Sequence, residues 1–246
     1  ARQGMKVLCV AEKNSIAKAV SQILGGGRLS TRDSGYMYVK NYDFDYNGFP
    51  FVSGSGACQV TMTSVAGHLT GIDFSSDRYG WGKCNINELF DAPLNEVLDN
   101  NQRKISNNIK REARNADILM IWTDCDREGE YIGWEIFREA NRGNQRINET
   151  SVYRAIFSHL ERGHILHAAT NPQRLDMRSV NAVSTRLEID LRAGVTFTRL
   201  LTETMRKKVS GGQSTTSTAS TRDRKDNPTV ISYGTCQFPT LGFVVD

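Results

Sequence analysis

Ile118-Leu119-Met120-Ile121-Trp122-Thr123-Asp124-Cys125-Asp126-Arg127-Glu128-Gly129-Glu130 joins an apolar run directly to an acidic one. The apolar run has the length and composition of a buried strand, and Ile132, Ile136 and Phe137 beyond the acidic run recur at helical spacing. Carboxylates at 124, 126 and 128 therefore sit where a strand ends and turns into a helix. In a parallel α/β sheet that edge is where ligands bind. Alternate carboxylates leaving a strand can converge on one hard cation, and Mg²⁺ is usually held by one or two carboxylates plus water and phosphate oxygens. Acidic residues at such a turn also cap the helix and complement its dipole. A single Asp would need no other explanation. Three carboxylates at i, i+2 and i+4 favour the metal reading.

The chain opens with a matching unit. Val7-Leu8-Cys9-Val10-Ala11 is a short buried-strand signal with Glu12 and Lys13 at its end. Asn14 or Ser15 is placed to cap a helix whose apolar residues Ile16, Val20, Ile23 and Leu24 recur at helical spacing, and Gly25-Gly26-Gly27 ends it. Alone, Glu12 and Lys13 read as a solvated helix start. If the two strand ends are neighbours in one sheet, Glu12, Asp124, Asp126 and Glu128 become a carboxylate cluster with Lys13 beside it. Repulsion in such a cluster is relieved by a bound cation or by a proton kept on one carboxylate. A glutamate that keeps a proton serves as general acid while the aspartates hold metal. That division of labour suits phosphoryl transfer on a nucleic-acid backbone, with Lys13 positioned to contact a phosphate oxygen.

Between these units, residues 33–63 read as β-rich. Tyr36-Met37-Tyr38-Val39 and Gln59-Val60-Thr61-Met62-Thr63 alternate as strands do, with turns at Asn47-Gly48 and 54–56. Val97, Ile105 and Ile109 give 95–115 a helical period, 151–157 reads as a strand, and 174–208 as one or two long helices. The segment after 157 predicts a helix rich in histidine. His159, His164 and His167 do not share one face of that helix, and no Cys or carboxylate completes a zinc set, so solvated or packing roles are expected. His68, between Gly67 and Leu69, is open to a ligand role because glycine allows close backbone approach. Residues 209–228 are of low complexity and predict a flexible loop.

A hydrophobic content of 39% with 24% charged residues describes an ordinary globular chain, with no apolar run long enough to span a bilayer. A net charge of +4 is by itself a weak indication of nucleic acid. Cys9, Cys58, Cys84, Cys125 and Cys236 are scattered without a C-x-x-C pair, which argues against a disulfide framework or a zinc site and fits a reducing compartment. Met5 reads as a natural start after a tag remnant at 1–4, and the apolar end at 242–246 predicts that the polypeptide is a piece of a longer one.

The pairing of Glu12 with Asp124-x-Asp126-x-Glu128 resembles the Toprim domain of type IA and type II topoisomerases, bacterial primases and some nucleases. Three stretches narrow the resemblance: Ala11-Glu12-Lys13-Asn14-Ser15-Ile16-Ala17, Val65-Ala66-Gly67-His68-Leu69 and Trp122–Glu130 look like the opening segments of the eukaryotic, in particular fungal, topoisomerase III group within type IA. Downstream, 185–199 and 232–242 resemble that group's gate-side helical domain. The resemblance implies an α/β Toprim fold, Rossmann-like with a mainly parallel sheet flanked by helices, over 5–157. A partial α-helical domain would occupy 158–246, with the loop 209–228 inside it.

Type IA chemistry is implied with it: a tyrosine attacks one DNA strand, forms a 5′-phosphotyrosine link, lets another strand pass and reseals without ATP. Carried over, Glu12 is the general acid and base for the leaving 3′-oxygen, Lys13 contacts the scissile phosphate, Asp124 and Asp126 with Glu12 bind Mg²⁺, and Glu128 supports them. Lys13, His68 and Arg127, with Arg186, Arg192, Arg199 and Gln237 in the helical part, are implied contacts to single-stranded DNA. A nuclear location, a role in recombination and repair, a RecQ-family helicase partner and an OB-fold accessory protein are implied in the same way. The family nucleophile lies in a Ser-Tyr-Pro-Arg-Thr motif, which Ile231-Ser232-Tyr233-Gly234-Thr235 imitates without the Pro and Arg. An unassisted phenol is a poor nucleophile at neutral pH, so Tyr233 is expected to be structural and the fragment inactive alone. Two other readings stay open: a Toprim nuclease or primase, and a helicase-docking module.

Overall fold

The computed structural model describes residues 4–52, 57–211 and 230–245, with the backbone alone for 207–211. Residues 1–3 of the expected remnant and 212–228 of the expected loop lie outside the described residues. In chain order the elements are β1 (Lys6–Ala11), α1 (Asn14–Leu24), β2 (Ser30–Asp33), β3 (Lys40–Tyr46), β4 (Cys58–Ser64), β5 (Gly71–Phe74), α2 (Ser76–Tyr79) and β6 (Leu94–Val97). There follow α3 (Asn100–Ala113), β7 (Ile118–Trp122), α4 (Arg127–Gly143), β8 (Val152–Arg154), α5 (Arg162–Thr170), α6 (Met177–Gly211) and α7 (Gln237–Val245). They form two compact units, one of residues 1–71 and 97–184, the other of 72–96 and 185–246. Among the described residues no helix is long and apolar enough to cross a membrane.

The first unit is built on a six-stranded sheet in the order β2-β3-β4-β1-β7-β8. Strands β4, β1, β7 and β8 run parallel, and β3 is antiparallel to both β2 and β4. Helices cover both faces, which explains why β1 from Val7 onward and β7 throughout are apolar instead of alternating. On one face Val7 and Cys9 of β1 and Met120 of β7 pack under Ile16, Ala17 and Val20 of α1 and Ile165 and Ala168 of α5. On the other, Leu8, Val10, Leu119 and Ile121 pack under Ile105 and Ile109 of α3 and Ile132 and Ile136 of α4. Each such fully buried aliphatic chain contributes roughly 1.5–3 kcal/mol. The second unit has the two-stranded sheet β5-β6 and a small core of Phe74, Tyr79, Leu89 and Ala92 against Leu191 and Val195 of α6.

Several local expectations change. Residues 36–39 form a turn, not a strand. Ser34 Oγ, buried, donates to Val39 O at 2.7 Å and accepts from the Tyr36 amide at 3.1 Å, and Gly35 takes φ 91°, while Met37 and Tyr38 point to solvent. Val97 ends β6, because Asp99 starts α3 instead, in a capping box with Gln102. Neither Asn14 nor Ser15 caps α1. The Asn14 side-chain oxygen accepts from the Lys40 amide at 3.1 Å and so ties the helix start to β3. Residues 174–208 contribute to one helix, α6.

Candidate functional site

Ala11, the last residue of β1, is in register with Ser64 of β4 and Trp122 of β7, so three parallel strands end level at the middle of the sheet. The next residue is Glu12. Its amide donates to Trp122 O at 3.2 Å, and its own carbonyl accepts from the Gly67 amide at 3.4 Å. Its side chain is nearly buried, at 11% exposure, yet one oxygen, Oε2, accepts the Asp124 amide at 3.0 Å and the other lies 3.8 Å from the Lys13 ammonium. Glu12 and the first residue of the acidic turn are thus neighbours although 112 positions separate them in the chain. Lys13 is exposed at the same strand end.

The acidic turn is held from below. Asp126 is the N-cap of α4, with Oδ1 accepting the Gly129 amide at 2.7 Å. Thr123 Oγ1, buried, donates to Gly129 O at 2.7 Å. A Cβ at Gly129 would lie 1.9 Å from the Asp124 carbonyl, so only glycine lets α4 start this close to the turn. The carboxylates of Asp124 and Asp126 face solvent, as does Arg127 at the first position of the helix.

The residue that fixes this turn is one the sequence did not single out. Arg154, wholly buried at the end of β8, donates to Thr123 O at 2.7 Å, Asp124 O at 2.5 Å and Ala155 O at 3.0 Å, and pairs with Glu130 at 3.0 Å. Glu130 in turn accepts the Asp176 amide at 3.0 Å. The available signal was an arginine inside an otherwise strand-like stretch, which is tolerated in a core only when fully hydrogen-bonded.

His68 is drawn into the same edge. Gly67 adopts φ 84°, and the loop behind it is organised by Glu135, a buried carboxylate of α4 that accepts from the amides of Leu69 and Thr70 and from Thr70 Oγ1. His68 sits between two carboxylates, with Nδ1 3.2 Å from Glu135 and Nε2 3.3 Å from Glu128. The hydrogen bond to Glu135 raises its pKa, burial opposes that, and the charges of Glu135 and Glu128 add to it. Sequence reading could place His68 near a ligand but not identify Glu135, which looked like one more helix residue.

The remaining candidates belong to the second unit. Arg186 is exposed on α6. Arg192 pairs with Glu188 and donates to the carbonyls of Leu89 and Ala92. Arg199 donates to Tyr79 O at 2.7 Å and lies over the Trp81 ring. Gln237 is exposed at the first position of α7. The Tyr233 ring packs, tilted, against those of Phe197 and Phe238 at 5.0 Å from each, and its amide donates to Thr198 Oγ1. That is a packing role.

Among the described residues, the side chains whose ligand atoms converge as a set of three within 4.8 Å are His159, Glu161 and His164, not the carboxylates of the acidic turn. The expectation that no carboxylate completes a histidine set is corrected here. Its cause was the helix boundary: α5 begins at Arg162, so His159 lies on the loop before it and folds back over the first turn.

A mainly parallel sheet with paired acidic strand ends defines a class. The chain belongs to the Toprim domain family, whose pattern matches residues 7–160. Toprim domains generally bind a divalent metal. The chain is 73% identical, over 98% of its length, to DNA topoisomerase 3 of Saccharomyces cerevisiae, of which it covers 37%. It is 55% identical to DNA topoisomerase 3 of Candidozyma auris, covering 35% of it, and 38% identical to DNA topoisomerase 3-alpha of Homo sapiens, covering 22%. The chain therefore spans about a third or less of these relatives' length.

Proposed function

We propose that this chain carries the metal-holding and proton-transferring half of a type IA DNA topoisomerase active site, the tyrosine nucleophile being supplied by the rest of a longer protein. The observation that carries the reading is Glu12, nearly buried, hydrogen-bonded to the Asp124 amide, with Lys13 and the acidic turn around it. Asp124, Asp126 and Glu12 are oxygen donors, the type Mg²⁺ takes. Asp126 spends one oxygen on the helix cap, which leaves the other for the ion or its waters. When bound, the ion stabilises charge on the scissile phosphodiester. Glu12 gives its proton to the 3′-oxygen as the bond from phosphorus to that oxygen breaks, and takes it back when the 3′-hydroxyl attacks the phosphotyrosine link. Lys13 holds a non-bridging phosphate oxygen, and Arg127 with His68 guides the strand past the turn. Glu128 acts through His68.

Similarity to topoisomerases extends over 98% of the chain, well past the Toprim match, and this favours the topoisomerase over a Toprim nuclease or primase. A nuclear location, recombination and repair work, a RecQ-family helicase and an OB-fold protein belong to the same proposal; capture by a helicase segment of this chain alone would favour the docking reading. The deciding experiment is covalent trapping on labelled single-stranded DNA with Mg²⁺. This chain should give no protein–DNA adduct. A longer polypeptide that includes the missing tyrosine should give one, and Glu12→Gln in it should lower adduct formation by about 10²–10⁴-fold. An adduct from this chain that disappears in Tyr233→Phe would overturn the proposal.

A further inference from the structure

We propose that His159, Glu161 and His164 form a second metal site, for a transition-metal ion of the zinc class, distinct from the acidic turn and independent of the activity proposed above. The ligand atoms of the three lie within 4.8 Å of one another. His159 Nε2 is 3.3 Å from Glu161 Oε2. Bonds of about 2.0–2.2 Å from a tetrahedral zinc ion to nitrogen and oxygen put two ligand atoms about 3.4 Å apart, so this pair already has the edge length of a zinc tetrahedron. The imidazole rings of His159 and His164 lie 3.7 Å apart, centre to centre. Two imidazoles on one tetrahedral ion have ring centres about 5 Å apart, so these exposed rings open by about 1.5 Å as both nitrogens turn onto the ion.

The choice of ion follows from the donors. Two imidazoles and a carboxylate suit zinc, cobalt, nickel or copper, while magnesium and calcium prefer oxygen alone. Ser158 Oγ lies 3.0 Å from His159 Nδ1, which leaves Nε2 as the ligand atom and orients the ring, as outer partners of metal-bound histidine do. Three protein ligands leave a fourth position for water, and all three are exposed, so an ion reaches them from solvent.

The surroundings give the site a task. Phe157, two residues before His159, is tied to the acidic turn: its amide donates to Cys125 Sγ at 3.1 Å and its carbonyl accepts from that thiol at 2.8 Å. His164 belongs to α5, which Ile165, Ala168 and Ala169 anchor in the core. An ion at this site clips the segment leaving β8, already fastened to the acidic turn, onto the first turn of α5. Ion binding therefore stiffens one flank of the turn without touching its carboxylates.

The test uses the whole chain, stripped with a chelator and titrated with Co²⁺ as a spectroscopic probe and with Zn²⁺ by calorimetry and thermal unfolding. One Co²⁺ per chain should bind with the visible absorption of a tetrahedral centre, Zn²⁺ should displace it, and Zn²⁺ should raise the unfolding temperature. His159→Ala, His164→Ala and Glu161→Gln should each abolish the tetrahedral spectrum and the thermal shift, and Ser158→Ala should weaken binding by about tenfold. His167→Ala should change nothing, since that ring faces Asn171. Asp124→Asn with Asp126→Asn should also leave the tetrahedral Co²⁺ spectrum intact. Absence of a tetrahedral spectrum, its persistence in His159→Ala or Glu161→Gln, or its loss in the double aspartate variant would each overturn the assignment.

Discussion

At the scale of single residues, the candidate site depends on groups that never touch a substrate. Arg154 satisfies three carbonyls and one carboxylate at the base of the acidic turn, and it is fully buried. Arg154→Met removes every one of those donors and leaves the partners unpaired while keeping most of the volume. Breaking a buried pair from one side costs about 3–5 kcal/mol, and a urea titration should show a loss of that size. Because the unpaired carbonyls belong to Thr123 and Asp124, Mg²⁺ affinity should fall together with stability. A variant with unchanged stability would show that the turn does not rest on Arg154. Glu12 was legible in the sequence as an acid at a strand end. Arg154 and Glu135 were not, because what marks them is complete burial with paired partners, and burial is set by strands and helices far away in the chain.

At the scale of elements, the helix pair α3–α4 shows what periodicity conveys and what it omits. Ile105, Ile109, Ile132 and Ile136 announced the faces that pack. Nothing announced Glu139, buried in the same interface, where Ser106 donates to it, Lys110 lies 3.0 Å away and Arg142 of its own helix pairs with it. Burial pushes this carboxyl up, but Ser106 and Lys110, with Arg142 behind them, outweigh it and hold its pKa below the ordinary glutamate value. A depressed folded-state pKa means that the unfolded chain binds the proton more readily. The contribution is therefore complete above the ordinary value of about 4.5 and is lost as pH falls below it. Unfolding measured from pH 7 to 3 should show a steeper acid loss in the natural chain than in Glu139→Gln; parallel curves would remove Glu139 from the account. The turn at 36–39 is the converse case. Its alternation imitates a strand, yet buried Ser34 and Val39 close it into a turn, and propensity does not register such a pin.

At the scale of the whole molecule, a net charge of +4 and basic residues beside the acidic turn predict a salt-dependent hold on single-stranded DNA. The logarithm of affinity should fall with the logarithm of salt by about 0.7 for each phosphate contacted. Lys13→Ala and Arg127→Ala should each reduce that slope by about 0.7 if each side chain neutralises one phosphate; slopes equal to the unaltered chain's would place the strand elsewhere. The sequence by itself determined that strands and helices alternate, that two strands end in acids, and that the pattern is that of a Toprim domain. Those features are local: an apolar run buried on both faces and a helical stripe are written within a dozen residues. Only the tertiary structure decided that β1 lies between β4 and β7, so that the Asp124 amide meets the Glu12 carboxylate, and that His68 is held between Glu128 and Glu135. It likewise brought His159 back over α5 onto Glu161 and His164. Strand order, register and the path of a loop are fixed by packing between distant segments, and no short stretch of chain encodes which of its neighbours in space it will meet.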